Sequence, residues 1–254
     1  MRSQVHAAAT YEAERRVSVD DFPDPGNADQ LPVALACAAA DVTLWWAPLV
    51  AAPGEIARIA AWLAPAEHAR AARFGREGLA QRYMAGRALL RWLLGRALGL
   101  PPHAVPIVRG IRGRPQLEAD TGIDFNVSHT AGIALIGIAR GRRVGVDVER
   151  VDRVVRADGL AAKFLTAAER ATLAPLPEDD RRVRFLRYWT CKEAMSKATG
   201  DGLSAPFREL EVRLTDPMEL AGGPAPYQPA RWQLARVDVP AGFLATVALW
   251  SAAA

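Results

Sequence analysis

The chain has 254 residues, half of them hydrophobic, with a formal charge of +4 at pH 7 and a pI near 9.4. This length predicts one large domain or two compact halves, and two cysteines are too few for a disulfide scaffold or a structural zinc set. The basic balance favours an acidic partner, either nucleic acid or an acidic protein.

The first 40 residues mix charged residues, proline and alanine without helical or strand periodicity, which predicts a flexible N-terminal extension. The apolar run at residues 31–40 superficially resembles a signal peptide. However, it lies behind four aspartates, no basic segment adjoins it, and it is too short to span a bilayer. We therefore expect a cytoplasmic protein without a membrane partner.

The N-terminal half, residues 41–140, is predicted to begin with a strand at 41–48. Helical stretches follow near 54–63 and 65–74, and a longer one at 79–98 stops at Gly99. Residues 133–139 and 143–148 are predicted strands that form a hairpin through Arg140-Gly-Arg. The C-terminal half, residues 141–254, returns to predicted strands at 209–214, 231–237 and 243–250.

A weak internal repeat links the two halves. The segment WLAPAE at 62–67 precedes the long helix that stops at Gly99, and FLTAAE at 164–169 precedes a second helix that stops at Gly200. Similar units in tandem predict two halves related by a pseudo-twofold axis, with the site in the cleft between them. The expected fold class is therefore α+β, a pseudodimer of two similar halves.

Three carboxylates and a lysine in the C-terminal half carry the chemistry. Asp147 and Glu149 alternate with valines, which predicts a strand with both carboxylates on one face. Glu193 and Lys197 lie four residues apart in a predicted helix and share a face. Carboxylates that converge beside a lysine predict a site for Mg2+, or for Mn2+, that holds a phosphate-bearing substrate.

Lysine is scarce in this chain. Only Lys163, Lys192 and Lys197 accompany 29 arginines, and two of the three flank Glu193. Nucleotide composition explains the arginine excess but not this placement. Because lysine can give up a proton near neutral pH when its pKa is depressed, and arginine cannot, we expect at least one of these lysines to be catalytic.

Together and in order, these motifs resemble the 4'-phosphopantetheinyl transferases of the longer, surfactin-synthetase-activating type. The matching segments are GRP at 113–115, FNVSH at 125–129, GVDVE at 145–149, FLTxxE at 164–169 and WTxKEAxxK at 189–197. The resemblance covers about residues 41–248. It implies an enzyme (EC 2.7.8.7) that transfers the phosphopantetheine arm of coenzyme A to a serine of an apo acyl or peptidyl carrier protein, releasing adenosine 3',5'-bisphosphate.

The resemblance also implies roles for individual residues. Asp147, Glu149 and Glu193 are the expected metal ligands, Glu193 the base that takes the serine proton, and Lys197 the residue that stabilises or protonates the departing phosphate. His129 is expected to contact the 3'-phosphate. The full set expected to bind coenzyme A is Arg70, Arg82, Arg87, Arg114, Ser128, His129, Lys192 and Lys197. In addition, Glu67 stands where relatives often carry a lysine.

Two other functions use the same features. A metal-dependent phosphohydrolase or nuclease would use the same carboxylates with water as nucleophile. A nucleic-acid-binding module would use the arginines, but these are spread along the chain without a recognised binding motif. We therefore expect no nucleic-acid partner, and instead an acidic carrier protein. The internal repeat predicts a monomer, because one chain supplies both sides of the cleft.

Overall fold

The computed structural model describes residues 32–37, 39–49 and 53–251, and it mixes helices with sheets, which confirms the predicted α+β class. The described elements, in chain order, are β1 (Val33–Leu35), β2 (Val42–Pro48), α1 (Pro53–Ala60), α2 (Pro65–Ala71), α3 (Glu77–Leu98), β3 (Ile107–Arg109), β4 (Pro115–Leu117), β5 (Ile123–Thr130), β6 (Ile133–Arg140), β7 (Arg143–Arg150), α4 (Ala157–Phe164), α5 (Ala167–Leu173), α6 (Glu178–Thr199), β8 (Glu211–Arg213), β9 (Glu219–Gly222), β10 (Trp232–Arg236) and β11 (Phe243–Trp250).

Two antiparallel sheets form the centre of the fold. The first has the order β1-β2-β6-β5 and the second the order β10-β11-β7, while β3–β4 and β8–β9 are two-stranded hairpins. β1 pairs along β2 and lies within the predicted flexible extension, so part of that segment forms an edge strand instead. The rest of the extension, apart from residues 32–37, 39 and 40, lies outside the described residues.

The predicted hairpin between β6 and β7 is wrong. β6 pairs with β2 along one edge and with β5 along the other, so it has no open edge for β7. β7 pairs instead with β11 in the second sheet. The chain therefore crosses from one sheet to the other after Arg140, where Gly141 adopts a positive φ of 71° that favours glycine.

The two sheets meet where β5 and β7 run side by side, which we call the seam. Here side chains of β5 take the place of a backbone ladder. Asp124, Asn126 and Ser128 share one face of β5 and accept hydrogen bonds from the backbone N–H groups of the three valines of β7, at 2.8, 3.0 and 3.3 Å. The polar side chains of β5 thus accept hydrogen bonds from backbone N–H groups at the buried edge of β7 that would otherwise be unpaired.

The long helices α3 and α6 have 22 residues each and end at Gly99 and Gly200, which adopt the left-handed conformation with φ of 68° and 84°. Both predicted helix stops are confirmed. α6 packs closely on β7, because a Cβ on Gly145 would lie only 1.9 Å from the carbonyl oxygen of Ala194. The absence of a side chain at Gly145 therefore lets α6 approach the strand that carries Asp147.

Separate apolar cores surround the two long helices, and another contains residues from both sheets, including Leu135 and Val146. Around α3 the core includes Leu90, Leu94 and Ile136, and around α6 it includes Phe185 and Met195. Burial of this apolar surface is the main force that holds both helices against their sheets. Among the described residues, no helix combines the length and the apolar character needed to cross a membrane.

Candidate functional site

Asp147 lies on β7 at the point where α6 and β5 meet. Its Oδ1 accepts hydrogen bonds from Lys197 Nζ at 2.6 Å and from Ser128 Oγ at 2.9 Å. Lys197 Nζ also donates to Ser128 Oγ at 3.0 Å and to the carbonyl oxygen of Val146 at 3.3 Å. Residues from three distant parts of the chain therefore form one polar cluster, in which the side chain of Asp147 is 6% exposed.

Two carboxylate oxygens in this region are buried without a hydrogen-bond partner. They are Asp147 Oδ2 and Glu193 Oε1. An unsatisfied buried acceptor costs about 1–3 kcal/mol, and more when it is charged, so native structures rarely retain one without a reason. Two such atoms on residues predicted to act together are suited to bind a cation or a proton.

Glu149 and Glu193 have raised pKa values. For Glu149, burial is the largest cause and the negative charge of Asp147 adds to it, whereas Arg153 and Lys197 oppose it. For Glu193, burial is again the largest cause, Lys197 opposes it, and the charges of Asp147 and Glu149 add to it. The negative charges of the neighbouring carboxylates therefore contribute, after burial, to these raised pKa values.

Two basic side chains occupy part of this carboxylate cluster, by which we mean Asp147, Glu149 and Glu193. Lys197 binds Asp147, and Arg153 forms an ion pair with Glu149 four residues before it. In this arrangement, no set of three or more His, Cys, Asp or Glu side chains in the described ranges is grouped so that it could hold a metal ion. The carboxylates thus lie near one another but do not form a ready-made ligand set.

Lys192 does not face the carboxylate cluster. It is fully buried, and its Nζ pairs with Glu169 Oε2 at 2.6 Å and donates to the carbonyl oxygens of Phe164 at 3.1 Å and Phe207 at 2.6 Å. These three partners match the three donors of the ammonium group. Lys192 therefore anchors α6 to the segments around it, and the predicted phosphate contact has no free donor in this geometry.

Arg114 lies buried at the seam. Its Nη1 and Nη2 donate to the carboxylate of Asp124 at 2.9 and 2.7 Å, and Nη2 also donates to the carbonyl oxygen of Val144 at 2.9 Å. Its Nε donates to the carbonyl oxygen of Lys197 at 2.7 Å. The guanidinium thus connects both seam strands to the C-terminal turn of α6, and it positions the backbone of Lys197 instead of presenting its donors to a phosphate.

The other basic residues expected to bind coenzyme A make no described hydrogen bond or ion pair with the carboxylate cluster. Arg70 and Arg82 are exposed on α2 and α3, His129 is exposed on β5, and Arg87 pairs with Glu67. Within the part of the chain that the structure describes, no hydrogen bond or ion pair joins any of these four basic residues to Asp147, Glu149 or Glu193. Of the predicted nucleotide-binding residues on β5, Ser128 is the one whose side chain bonds Asp147 among the described residues.

Glu67 and Glu169 are buried glutamates that the sequence motifs marked without giving them a role. Each lies in the first turn of a short helix, where its carboxylate accepts the backbone N–H of the residue before that helix, at 2.9 Å for Glu67 and 2.8 Å for Glu169. Glu67 Oε2 also accepts from Arg91 Nε at 2.5 Å. Both glutamates therefore clamp a short helix to a long one.

Sequence reasoning missed Arg153 and the polar ladder of β5. The alternation of Asp124, Asn126 and Ser128 was a usable signal, since three polar residues on one strand face need partners wherever they are buried. Arg153 carried no such signal. It follows the end of β7 by three residues, and strand spacing does not predict that a side chain there reaches back to Glu149.

Buried carboxylates with raised pKa values beside a lysine are candidates for a functional site. Comparisons with known proteins show which class of enzyme the chain resembles. A model of the 4'-phosphopantetheinyl transferase superfamily matches residues 143–248, and a model of the N-terminal region of 4'-phosphopantetheinyl transferases matches residues 45–139.

Individual relatives agree with these matches. The chain is 38% identical over 190 residues to the 4'-phosphopantetheinyl transferase HetI of Nostoc sp., covering 73% of this chain and 80% of the relative. It is 28% identical over 163 residues to a 4'-phosphopantetheinyl transferase of Bacillus subtilis, covering 64% and 71%. The chain therefore belongs to the 4'-phosphopantetheinyl transferase family, which confirms the family and the enzyme class predicted from the motifs.

A solved structure was also found. A holo-(acyl-carrier-protein) synthase from Bacillus anthracis, crystallised in complex with CoA, matches 44% of this chain and 96% of its own, with 22% identity and a TM-score of 0.33. Because the similarity covers less than half of this chain and the TM-score is low, we draw no conclusion about the site from it.

Proposed function

We propose that the carboxylate cluster, with Lys197, is the place where this transferase acts. The protein transfers the 4'-phosphopantetheine arm of coenzyme A to a serine hydroxyl of an apo acyl or peptidyl carrier protein, giving the holo carrier protein and adenosine 3',5'-bisphosphate. The observation that carries the site is the pair of buried, partnerless oxygens, Asp147 Oδ2 and Glu193 Oε1, beside the Lys197 ammonium group.

The site lies in a proposed cleft between two similar halves, residues 41–140 and 141–254. The equal lengths of α3 and α6 and their terminal glycines support a pseudo-twofold relation between the halves. The glutamate clamps at Glu67 and Glu169 support it too, because each joins a short helix to the long helix that follows. The seam would then be the floor of the cleft.

The oxygen donors present are of the type that Mg2+ prefers, with Mn2+ as a substitute, although the described carboxylates are not preassembled as a ligand set. Asp147 Oδ2 and Glu193 Oε1 are available oxygen ligands, and Glu149 supplies a third carboxylate nearby. These residues would hold the cation together with oxygens of the coenzyme A diphosphate. When bound, the cation would neutralise the charge that builds up on those oxygens during transfer.

Glu193 and Lys197 carry the proposed proton and charge steps. As the serine oxygen bonds to the phosphorus that carries the phosphopantetheine arm, Glu193 accepts the serine proton. The bond from that phosphorus to adenosine 3',5'-bisphosphate breaks, and the bisphosphate leaves with the bonding electrons. Lys197 Nζ, held by Asp147 and Ser128, lies where it can stabilise the new negative charge.

Coenzyme A would reach the site past His129, which we propose contacts the 3'-phosphate from its exposed position on β5. Phosphate contacts from Arg70, Arg82 and Arg87 stay predictions. Arg114 and Lys192 are better suited to hold α6 and Lys197 in place than to bind the nucleotide, since their donors are used inside the protein.

The carrier protein would dock by its acidic surface on the C-terminal half, near Phe164 and α6. Three arginines near α6 support this, because burial first, and then the positive charges of Arg236 and Arg184, lower the pKa of Arg187, which shows that these cations lie close together. Complementary charge of this kind acts mainly on the rate of association. The monomeric state and the cytoplasmic location stay predictions.

The test is incubation with coenzyme A, Mg2+ and an apo carrier protein, followed by mass spectrometry of the carrier. We expect wild type to add the phosphopantetheine mass to the serine and Asp147→Asn to add none while remaining folded. Cleavage of coenzyme A with an unmodified carrier would indicate a phosphohydrolase instead. Failure of both reactions together with retention on nucleic acid would indicate the binding module.

A further inference from the structure

Arg153 contacts the carboxylate cluster but has no part in the proposed transfer. We propose that Arg153 is a counter-ion that holds Glu149 until a divalent cation displaces it, and that it thereby sets the affinity of the cluster for the cation. This inference rests on the proposed metal role of Asp147, Glu149 and Glu193.

The ion pair between Arg153 and Glu149 joins a partly exposed cation to a buried anion. The Arg153 side chain is 44% exposed and the Glu149 side chain 12%. A buried carboxylate needs a neighbouring positive charge to remain ionised, and Arg153 supplies one. The Arg153 charge also acts on Glu193, so its influence extends across the cluster.

Hydrogen bonds hold the backbone around Arg153 in place, whereas its side chain is held by the ion pair with Glu149. The N–H of Val151 donates to the carbonyl oxygen of Gly242 at 2.9 Å, and Arg182 donates to the carbonyl oxygen of Val151. The N–H of Arg153 donates to the carbonyl oxygen of Arg150 at 3.2 Å. The guanidinium can therefore leave Glu149 for solvent by side-chain rotation, without a rearrangement of the loop.

Arg153 is also the easier of the two basic residues to displace. Lys197 Nζ is held by Asp147, Ser128 and a backbone carbonyl, and its side chain is 25% exposed. In the described part of the chain, the only ion-pair partner of Arg153 is Glu149. A divalent cation beside Glu149 would repel the guanidinium and replace it as the neutralising charge. Because free energy is needed to break the ion pair between Arg153 and Glu149, the apparent affinity for the cation is lower than it would be without Arg153.

The test measures Mn2+ binding to the full chain, with coenzyme A saturating and no carrier protein, from the electron paramagnetic resonance signal of free Mn2+, and a protein-free sample with the same coenzyme A gives the background. Arg153→Gln should bind Mn2+ about threefold to fivefold more tightly than wild type, because a partly exposed ion pair is worth up to about 1 kcal/mol. Arg153→Lys restores the charge and should move affinity back toward wild type. Arg213→Gln removes a more exposed ion pair, with Glu219, and should leave Mn2+ affinity unchanged.

The outcomes separate this inference from the metal site itself. If Mn2+ binds neither wild type nor Arg153→Gln, the proposed metal site is wrong. If wild type binds Mn2+ and Asp147→Asn does not, the site stands, and equal affinities of wild type and Arg153→Gln would then overturn the counter-ion role. A second readout is the Mg2+ concentration for half-maximal transfer, which should fall in Arg153→Gln by the same factor as the Mn2+ dissociation constant.

Discussion

The helices α3 and α6 share a length and a terminal glycine, and each is held by a buried glutamate from the short helix before it. Counted back from that glycine, Arg91 and Lys192 occupy the same position. Arg91 bonds Glu67 and the carbonyl oxygens of Pro102 and Val105, whereas Lys192 bonds Glu169 and two other carbonyl oxygens. Both residues thus secure a helix to its surroundings by the same means.

The next positions differ in chemistry. Glu193 of α6 corresponds to Trp92 of α3, and Lys197 corresponds to Arg96, whose guanidinium lies over the Trp92 ring at 5.3 Å from its centroid. The structural clamp therefore occurs in both halves, whereas the carboxylate and lysine of the proposed reaction occur only in the second. A lysine next to a proposed catalytic residue can therefore belong to the scaffold, and its position in a motif does not settle its role.

Substitutions at matched positions of α3 and α6 test this difference between the two helices most directly. Glu193→Gln should reduce transfer about ten-thousandfold, or about 5 kcal/mol of transition-state stabilisation, because it removes both a cation ligand and the proton acceptor. Trp92→Phe, at the matching position on α3, should change the rate by less than about threefold. Rates are measured by carrier modification at saturating Mg2+, with circular dichroism to confirm folding. Similar losses in both variants would contradict the division of roles.

A second exchange concerns the clamps. Lys192→Met should destabilise the protein by about 4 kcal/mol, because it leaves Glu169 charged and buried without its partner. Arg91→Met should cost less, since Glu67 keeps its ion pair with Arg87. Urea unfolding gives both free energies. The double variant Lys192→Met with Glu169→Leu should recover much of the loss and still bind coenzyme A, whereas a phosphate-binding Lys192 would make coenzyme A binding weak in that variant.

Motif spacing predicted which side chains share a face of a strand or a helix. Asp147 and Glu149 share a strand face because the two-residue period is a local property of a strand, and their charges add to burial, the largest cause, in raising the pKa of Glu193. The terminal glycines and the α+β class followed from equally local signals. The metal role and the contacts with coenzyme A are still untested predictions.

Contacts between distant parts of the chain determined the strand pairing and the side-chain partners that motif spacing did not predict. The sequence predicted a β6–β7 hairpin because two strands flank a short turn, yet both edges of β6 were already occupied by strands from elsewhere in the chain. Lys192 was predicted to reach a phosphate. In the structure it pairs instead with Glu169, which lies 23 residues earlier in the chain, beside the apolar core around α6. No local pattern reports which partner a basic side chain will find across the fold.

The third exchange tests shape at constant charge. Lys197→Arg should reduce transfer about a hundredfold, about 2.7 kcal/mol, because a planar guanidinium does not fit the position where an ammonium group bonds Asp147, Ser128 and Val146. Arg96→Lys on α3 should leave the rate nearly unchanged. Steady-state rates with coenzyme A and carrier protein saturating give the comparison. Full activity of Lys197→Arg would show that only the charge at this position matters.

The smallest expected effect concerns the α3 clamp at low pH. Burial disfavours the charged form of Glu67, but Arg87, the backbone N–H of Ala64 and Arg91 outweigh it and hold its pKa below the ordinary value of 4.5. A carboxyl group with a lowered pKa in the folded state contributes stability that is present above the unfolded-state pKa and lost as the pH falls through the folded-state pKa.

Glu67→Gln isolates this contribution, because the variant keeps a polar side chain but cannot titrate. Wild type should exceed the variant in unfolding free energy by about 1.5 kcal/mol near neutral pH, the lower end of the usual range for hydrogen bonds to a charged group. The difference should hold steady down to about pH 5.5 and then shrink as the pH falls below about 4.5, since the unfolded state begins to take up a proton that the folded state refuses. Urea unfolding of both proteins across that range measures the difference. A gap that stays constant, or widens, as the pH falls would mean that Arg87 and Arg91 do not favour the charged carboxylate, and that the α3 clamp acts only through neutral hydrogen bonds.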